Sequence, residues 1–445
     1  MRDAIAVEEP SLDAAAEQSG VPVEGWAMAR AGRAFDPRLR YLHRSWYRTP
    51  FLVPAWDSEE LDTLWAYSRS RQRRLGSVCA EQLQDALQQR FGFPHVVLTS
   101  TGSCAIEVAL RSLGPPGGEV ILPSFLCGTV ARAVLAAGCV PVFADIHDDL
   151  GLSIESVRRN LTDKTVAVLV AHLAGQPCRD VVELESVCRE RGLALIDDAA
   201  QSLGASLDGR FLGSLGTFGA LSFGLGKPTF SIGGGALVLH THDAALRCRA
   251  ILGQMEDEGA PRRHEMAAAW SFVAQYCWRR VTYPMYAAGR LVRRLAGIPA
   301  TPRPRGVISE LEAALQLIQL KTLDGHLRSF AEHGSVIVSR LAPLDHVRFP
   351  QASRPCGYTK LFIERRDGDV GGLATHLLKH GVEIEWPWTP LDLREEFSRF
   401  RRQPNVVAEQ LWKRLLILPS HPALTPKDVD RIAGAVASFV PSGSR

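Results

Sequence analysis

VVLTSTGSCAIEVAL, residues 96–110, runs from a β-branched apolar stretch through a turn of small residues into a segment of helical periodicity. A strand, turn and helix repeated along a chain build a parallel sheet covered by helices on both faces. The pattern recurs here. Apolar runs follow at EVILP (119–123), VPVFAD (140–145), VAVLV (166–170), LALIDD (193–198), GALSF (219–223) and GALVLH (235–240). Seven strands are therefore expected between residues 95 and 240 in an α/β architecture, with right-handed crossovers and ligands at the carboxyl ends of the strands.

On either side of this block the pattern changes. Residues 1–45 are polar, then Arg- and aromatic-containing without periodicity, and read as an N-terminal extension. SEELDTLWAYSRSRQ, from residue 58, predicts a helix capped by Ser58 with Leu61, Leu64 and Trp65 on one face. Residues 256–305 interleave Trp270, Phe272, Tyr276, Trp278, Tyr283 and Tyr286 with Arg279, Arg280, Arg290, Arg293 and Arg294. That segment reads as one or two amphipathic helices forming an extra packing layer; contact with a membrane surface is the less favoured reading. ISELEAALQLIQLKTLD then predicts a long helix capped by Ser309, and strands and helices alternate to about residue 440. The expected organisation is an extension (1–45), a large domain (46–255), the aromatic insertion (256–305) and a small α+β domain (306–445).

Composition narrows the class. A chain of 445 residues, 46% hydrophobic and 22% charged, can bury a large core. Its net charge of +3 gives no global case for nucleic acid, and the cluster Arg69, Arg71, Arg73, Arg74 reads as a solvated face. Nine cysteines without a CxxC spacing argue against a zinc site and against a disulfide framework. With acids where a signal peptide needs a basic start, and no apolar stretch long enough to span a bilayer, a cytoplasmic location is expected.

Three segments carry candidate chemistry. In TSTGSCAIEVAL (99–110) the helix opens with Gly102 and Ser103, and unpaired N–H groups in a first turn suit a phosphate, though taken alone an ordinary helix cap is the commoner reading. Asp197 and Asp198 end the strand LALI; a carboxylate there can hold a ring nitrogen protonated, or one of the pair can cap the following turn. In Ser222-Phe223-Gly224-Leu225-Gly226-Lys227 a lysine sits among small and apolar neighbours, where burial frees an amine as a nucleophile.

Together these segments resemble the DegT/DnrJ/StrS family of sugar aminotransferases that use pyridoxal 5'-phosphate (PLP). The resemblance runs from about residue 50 to 440 over seven ordered blocks: TSTGSCAIEVALRSLG, GGEVILPSF, AAGCVPVFADI, AHLAGQP, LIDDAAQSLGAS, FLGSLGTFGALSFGLGK and LILPSHPALTPKDVDRI. It implies a fold-type I enzyme, a homodimer with sites at the subunit interface. Lys227 would bond to the cofactor aldehyde, Asp198 would pair with the ring nitrogen and Gln201 would lie near the phenolic oxygen. Gly102, Ser103 and Ser222 would hold the phosphate, and His172 would stand close by or be a core histidine. L-glutamate or L-glutamine would be the amino donor and a keto-sugar nucleotide, or a related natural-product precursor, the acceptor.

Four departures accompany the resemblance. Where the family places an aromatic residue on the cofactor face this chain has Cys127, with Phe125 the candidate replacement. Pro228 and Ile232-Gly233-Gly234-Gly235 replace an asparagine and a Gly-Glu-Gly-Gly run, and Arg305-Gly306-Val307-Ile308 replaces the Asn-Tyr-Arg-Met stretch that reaches the neighbouring subunit. These losses bear on acceptor and interface. The rivals are a PLP-dependent deoxysugar dehydratase, in which the family replaces the lysine by histidine, and a non-catalytic regulatory subunit on the same fold. Trp386, Trp388 and His421 are candidates to face the acceptor, with packing in the small domain favoured.

Overall fold

The computed structural model describes residues 47–69, 78–257, 265–277, 305–353 and 356–440. Helix α1 (Ser58–Arg69) is capped by Asp57 rather than Ser58: the Asp57 carboxylate accepts from the Glu59 amide at 2.7 Å, and Glu60 accepts from the Asp57 amide at 2.9 Å. A carboxylate one position earlier satisfies the first-turn donors, leaving Ser58 inside the helix. Leu64 is fully buried, but Trp65, rotated by about 100° along the helix, is 52% exposed and meets Trp270 edge-on at 5.2 Å. Helix α2 (Val78–Phe91) buries Leu83, Leu87 and Phe91.

The large domain then alternates as expected: β1 (His95–Thr99), α3 (Gly102–Arg111), β2 (Glu119–Pro123), α4 (Gly128–Ala136), β3 (Val140–Ala144), α5 (Ile154–Asn160), β4 (Thr165–Ala171), α6 (Val181–Arg191) and β5 (Ala194–Asp198). A hairpin of β6 (Ser206–Leu207) and β7 (Arg210–Phe211) precedes β8 (Phe218–Ser222), β9 (Gly235–Leu239) and α7 (His242–Asp257). The seven-stranded sheet has the order β1-β9-β8-β5-β4-β2-β3, and only β9 runs against the others. Alternation splits each strand between two cores. Val97, Leu169, Ile196, Ala220 and Leu237 face one, whereas Val96, Val168, Leu195, Leu221 and Val238 face the other.

Part of the aromatic insertion is described: α8 (Glu265–Phe272) continues as a wider turn through Cys277. Ala269 and Val273 are buried with Leu64, Leu311 and Leu315, and Phe272 packs on Trp56 at 4.8 Å and Phe230 at 5.6 Å. These residues form a packing layer. Trp278, Tyr283, Tyr286, Arg279, Arg280, Arg290, Arg293 and Arg294, with Arg71, Arg73 and Arg74, lie outside the described residues.

Helix α9 (Glu310–Leu341) starts with a reciprocal cap between Ser309 and Glu312. Its Leu320 and Leu323 share a core with Leu83 and Leu87, and its Ile337 and Leu341 enter the core of a smaller unit, so one helix serves both. That unit pairs β10 (Val347–Arg348), β11 (Leu361–Arg365) and, beyond α10 (Val370–Lys379) and α11 (Val406–Trp412), β12 (Leu415–Leu418) in an antiparallel sheet, with α12 (Pro426–Ala437) packed on it. None of the described helices is long and apolar enough to cross a membrane.

Candidate active site

Two adjacent carboxylates at the end of β5 have opposite duties because successive strand residues point to opposite faces. Asp197 turns toward the core shared with α9. Its Oδ2 accepts from the amides of Gly213 (2.7 Å) and Leu215 (2.8 Å), and its Oδ1 lies 2.7 Å from His172 Nε2, close but poorly aligned for a hydrogen bond. His172 Nδ1 accepts from the Cys178 amide at 2.9 Å, so its proton is on Nε2, facing Asp197. His172 is thus a buried strut.

Asp198 turns to the other face. Its Oδ1 accepts from the Ala200 amide at 3.0 Å, and its carbonyl accepts from the His172 amide at 3.1 Å. Burial pushes the Asp198 carboxyl above the usual carboxylate range, against the Ala200 hydrogen bond and the charge of Lys227, which pull it down. Lys227 is therefore near enough to act on Asp198 through space. A carboxylate held in so dry a position is matched to a partner that is itself cationic, such as a protonated ring nitrogen.

Lys227 is half-buried in a loop closed at its base by two bonds: the Phe223 amide to Gly234 O at 3.0 Å and the Ser231 amide to Phe223 O at 2.9 Å. Gly226, at φ +72°, makes the turn just before it. After it Pro228, Thr229 and Phe230 are buried, with Phe230 O accepting from Trp56 Nε1 at 2.7 Å and the Phe230 amide donating to Gln319 Oε1 at 3.2 Å. The lysine is pinned on both sides.

The first turn of α3 meets the end of β8. Thr101, a cap the sequence reading passed over, accepts from the Cys104 amide at 3.0 Å, and Gly102 and Ser103 occupy the first two helical positions. A Cβ on Gly235 would stand 2.5 Å from the Gly102 amide nitrogen, so glycine is required at both positions for α3, β8 and β9 to converge. Ser103 and Ser222 are half-buried around that meeting point. Three predicted phosphate residues are thereby brought together, and a first-turn dipole favours an anion there.

Gln201 is held by both its side chain and its backbone. Its Oε1 accepts from the Ala174 amide at 3.1 Å, while its carbonyl accepts from Thr359 Oγ1, in the small domain, at 2.8 Å. Neighbouring bonds run from the Thr359 amide to Ala174 O (3.1 Å) and from the Gly357 amide to Gly175 O (3.2 Å), with Ala174 at φ +59°. The sequence reading missed this staple, because nothing at residue 359 signals a partner 158 positions away.

Phe125 is fully buried, edge-on to Phe362 at 6.1 Å and Trp388 at 6.0 Å, so its ring is enclosed by other aromatics. Cys127 is half-buried and caps α4 without a side-chain bond, its Sγ 3.3 Å from Thr129 Oγ1. Beside it the Arg394 guanidinium lies against Gly128. Trp386 packs on the small-domain core, and His421 Nε2 lies 3.1 Å from Pro50 O. Arg305 pairs with Glu107 of α3, and Gly306 O accepts from the Ser100 amide at 2.7 Å, so this divergent stretch is tied to its own chain.

The model of the DegT/DnrJ/EryC1/StrS aminotransferase family matches residues 54–437. Over 358 residues the chain is 30% identical to the UDP-N-acetyl-3-dehydro-alpha-D-glucosamine 3-aminotransferase of Acidithiobacillus ferrooxidans, covering 78% of this chain and 84% of that protein. It is 29% identical over 229 residues to a GDP-perosamine synthase of Vibrio cholerae, a match that spans 49% of this chain and 60% of that protein. Among solved structures, DesV of S. venezuelae, determined in complex with a ketimine intermediate, aligns over 88% of this chain and 100% of its own at 25% identity, with a TM-score of 0.68.

Proposed function

This chain belongs to the DegT/DnrJ/EryC1/StrS aminotransferase family, and from that premise we propose that it moves an amino group from L-glutamate or L-glutamine to a keto group on a sugar nucleotide or a related biosynthetic precursor. It is an aminotransferase, and pyridoxal 5'-phosphate is its cofactor. The observation that carries the reading is the electrostatic reach between Lys227 and Asp198 beside the convergence of Gly102, Ser103 and Ser222.

When bound, the cofactor supplies an aldehyde for the amine and a ring that withdraws electrons from the reacting carbon. In this reading Lys227 would be the residue that holds it, and its amine would serve to move the proton between carbons. Asp198 keeps the ring nitrogen charged. The first-turn amides of α3, with Ser103 and Ser222, would hold the phosphate, and Gln201, fixed by Ala174 and Thr359, would help hold the ring. Phe125 backs the site from the core. The working enzyme is a cytoplasmic homodimer, and its kinetics are ping-pong.

The test is a two-step titration. L-glutamate or L-glutamine should bleach the cofactor's visible band, and one of a set of keto-sugar nucleotides and pathway ketones should restore it. A band that the donors bleach but no ketone restores would contradict the acceptor class.

A further inference from the structure

The geometry points to Arg394 as the residue that selects the amino donor, by binding its α-carboxylate; this rests on the aminotransferase reading above. Arg394 reaches, from a segment whose Leu391 and Phe397 are buried in the core of the large sheet, into a slot that exists only because residue 128 is glycine. A Cβ there would collide with the guanidinium, standing 3.1 Å from Cζ and 3.6 Å from one terminal nitrogen. The slot lies in the turn that follows β2, on the same carboxyl edge of the sheet as Asp198, with β4 between them. The Leu391 amide bonds to Ser124 O at 2.7 Å and fixes the approach, and Trp388 meets Phe125.

Charge gives the second observation. Glu396 is already engaged by Arg132, through Nε at 3.0 Å and a terminal nitrogen at 3.1 Å, and it also takes Arg394 at 2.5 Å. One carboxylate serves two guanidinium groups, and both arginine side chains are largely withdrawn from water, at 15% and 20% exposure. Burying a second cation on an occupied anion is costly unless another anion joins it. The surplus of one positive charge matches a carboxylate, and the planar guanidinium offers it two parallel N–H donors. An amino acid carries that carboxylate on the reacting carbon, whereas the diphosphate of a sugar nucleotide is remote from the reacting carbon and brings more than one charge.

The measurement is the rate of bleaching of the cofactor band by L-glutamate against its α-amide, in which the α-carboxylate is neutral. Wild-type protein should prefer L-glutamate roughly 100-fold, the worth of two charge-assisted hydrogen bonds. Arg394→Gln should bring that ratio below about tenfold, chiefly through KM, and Arg394→Lys should recover part of it. Gly128→Ala, which pushes the guanidinium aside without removing its charge, should also lower the ratio. An Arg394→Gln protein that binds cofactor and keeps the wild-type ratio overturns the assignment, as does a loss confined to the acceptor half-reaction. Should that variant fail to fold, an unchanged ratio in Gly128→Ala overturns it instead. Failure of the parent reading looks different: the band of wild-type protein would be bleached by no amino acid at all.

Discussion

Gly102, the first residue of α3, lies so close to Ser222 at the end of β8 that a Cβ on it would stand 2.8 Å from Ser222 Cβ and 3.1 Å from Leu221 O. The helix start is thereby set against the last residue before the lysine loop. Gly102→Ala must displace a strand carbonyl or the helix itself, at a cost of about 1–3 kcal/mol for overpacking. It should lower the Tm and weaken retention of PLP by about tenfold or more on dialysis, since a phosphate site depends on the placement of its amides. Ser222→Ala should weaken retention with little change in Tm. Unchanged retention in both variants would remove the phosphate from this corner.

The two aspartates of β5 should part company on mutation. Asp197 accepts two backbone amides, those of Gly213 and Leu215, so Asp197→Ala should destabilise the fold by about 1–3 kcal/mol per stranded donor while leaving cofactor absorbance in place. Asp198→Asn should fold well, bind cofactor weakly and lose at least about 100-fold in turnover, because a neutral amide does not hold the ring nitrogen charged. Denaturation and single-turnover assays on the pair check this. The reverse assignment of effects would contradict it.

The cofactor-free protein should carry a pH signature of the same carboxylate. Burial raises the folded-state pKa of Asp198 above its ordinary value of 3.8, so the folded chain binds that proton more tightly than the unfolded chain. Its contribution to stability is then complete below about pH 3.8 and is lost as pH rises through the folded value. Stability measured relative to Asp198→Asn should therefore fall with rising pH above 3.8. Loading with PLP should reverse the fall, since the ring nitrogen compensates the charge. A pH-independent difference in the free protein would count against the buried site.

Thr359 offers a test of the link between the domains. Its hydroxyl bond to Gln201 O contributes about 1 kcal/mol net, and Thr359→Val removes it at nearly constant volume. The expected outcome is a modest fall in Tm with a shift in the position or pH dependence of the cofactor band, because Gln201 loosens beside the ring. A fall in Tm with an unaltered spectrum would make the bond structural only.

Most of the sheet was legible because its strands are buried on both faces and so read as short apolar runs; EVILP at 119–123 coincides with β2 residue for residue. The others agree to within about a residue or two at their ends. Strand order and the reversed direction of β9 were not legible, since GALVL pairs equally well in either sense. The β6–β7 hairpin was overlooked although Asp208-Gly209, both at positive φ, gives a direct turn signal. Around the site, local patterns raised Gly102, Asp198 and Lys227 as candidates, and the family resemblance gave them roles. Thr359, Arg394 and the division of labour between Asp197 and Asp198 depend on contacts far apart in sequence or on the strand's alternation, and no local pattern announces them.

The central claim is that the Lys227 amine carries the cofactor. Borohydride reduction of the PLP-loaded protein followed by peptide mapping tests it most directly. The account predicts a visible band that reduction abolishes, a pyridoxyl mass on the peptide containing Lys227 alone, and neither band nor label in Lys227→Ala. A label on another lysine, or an undiminished band in Lys227→Ala, would contradict it.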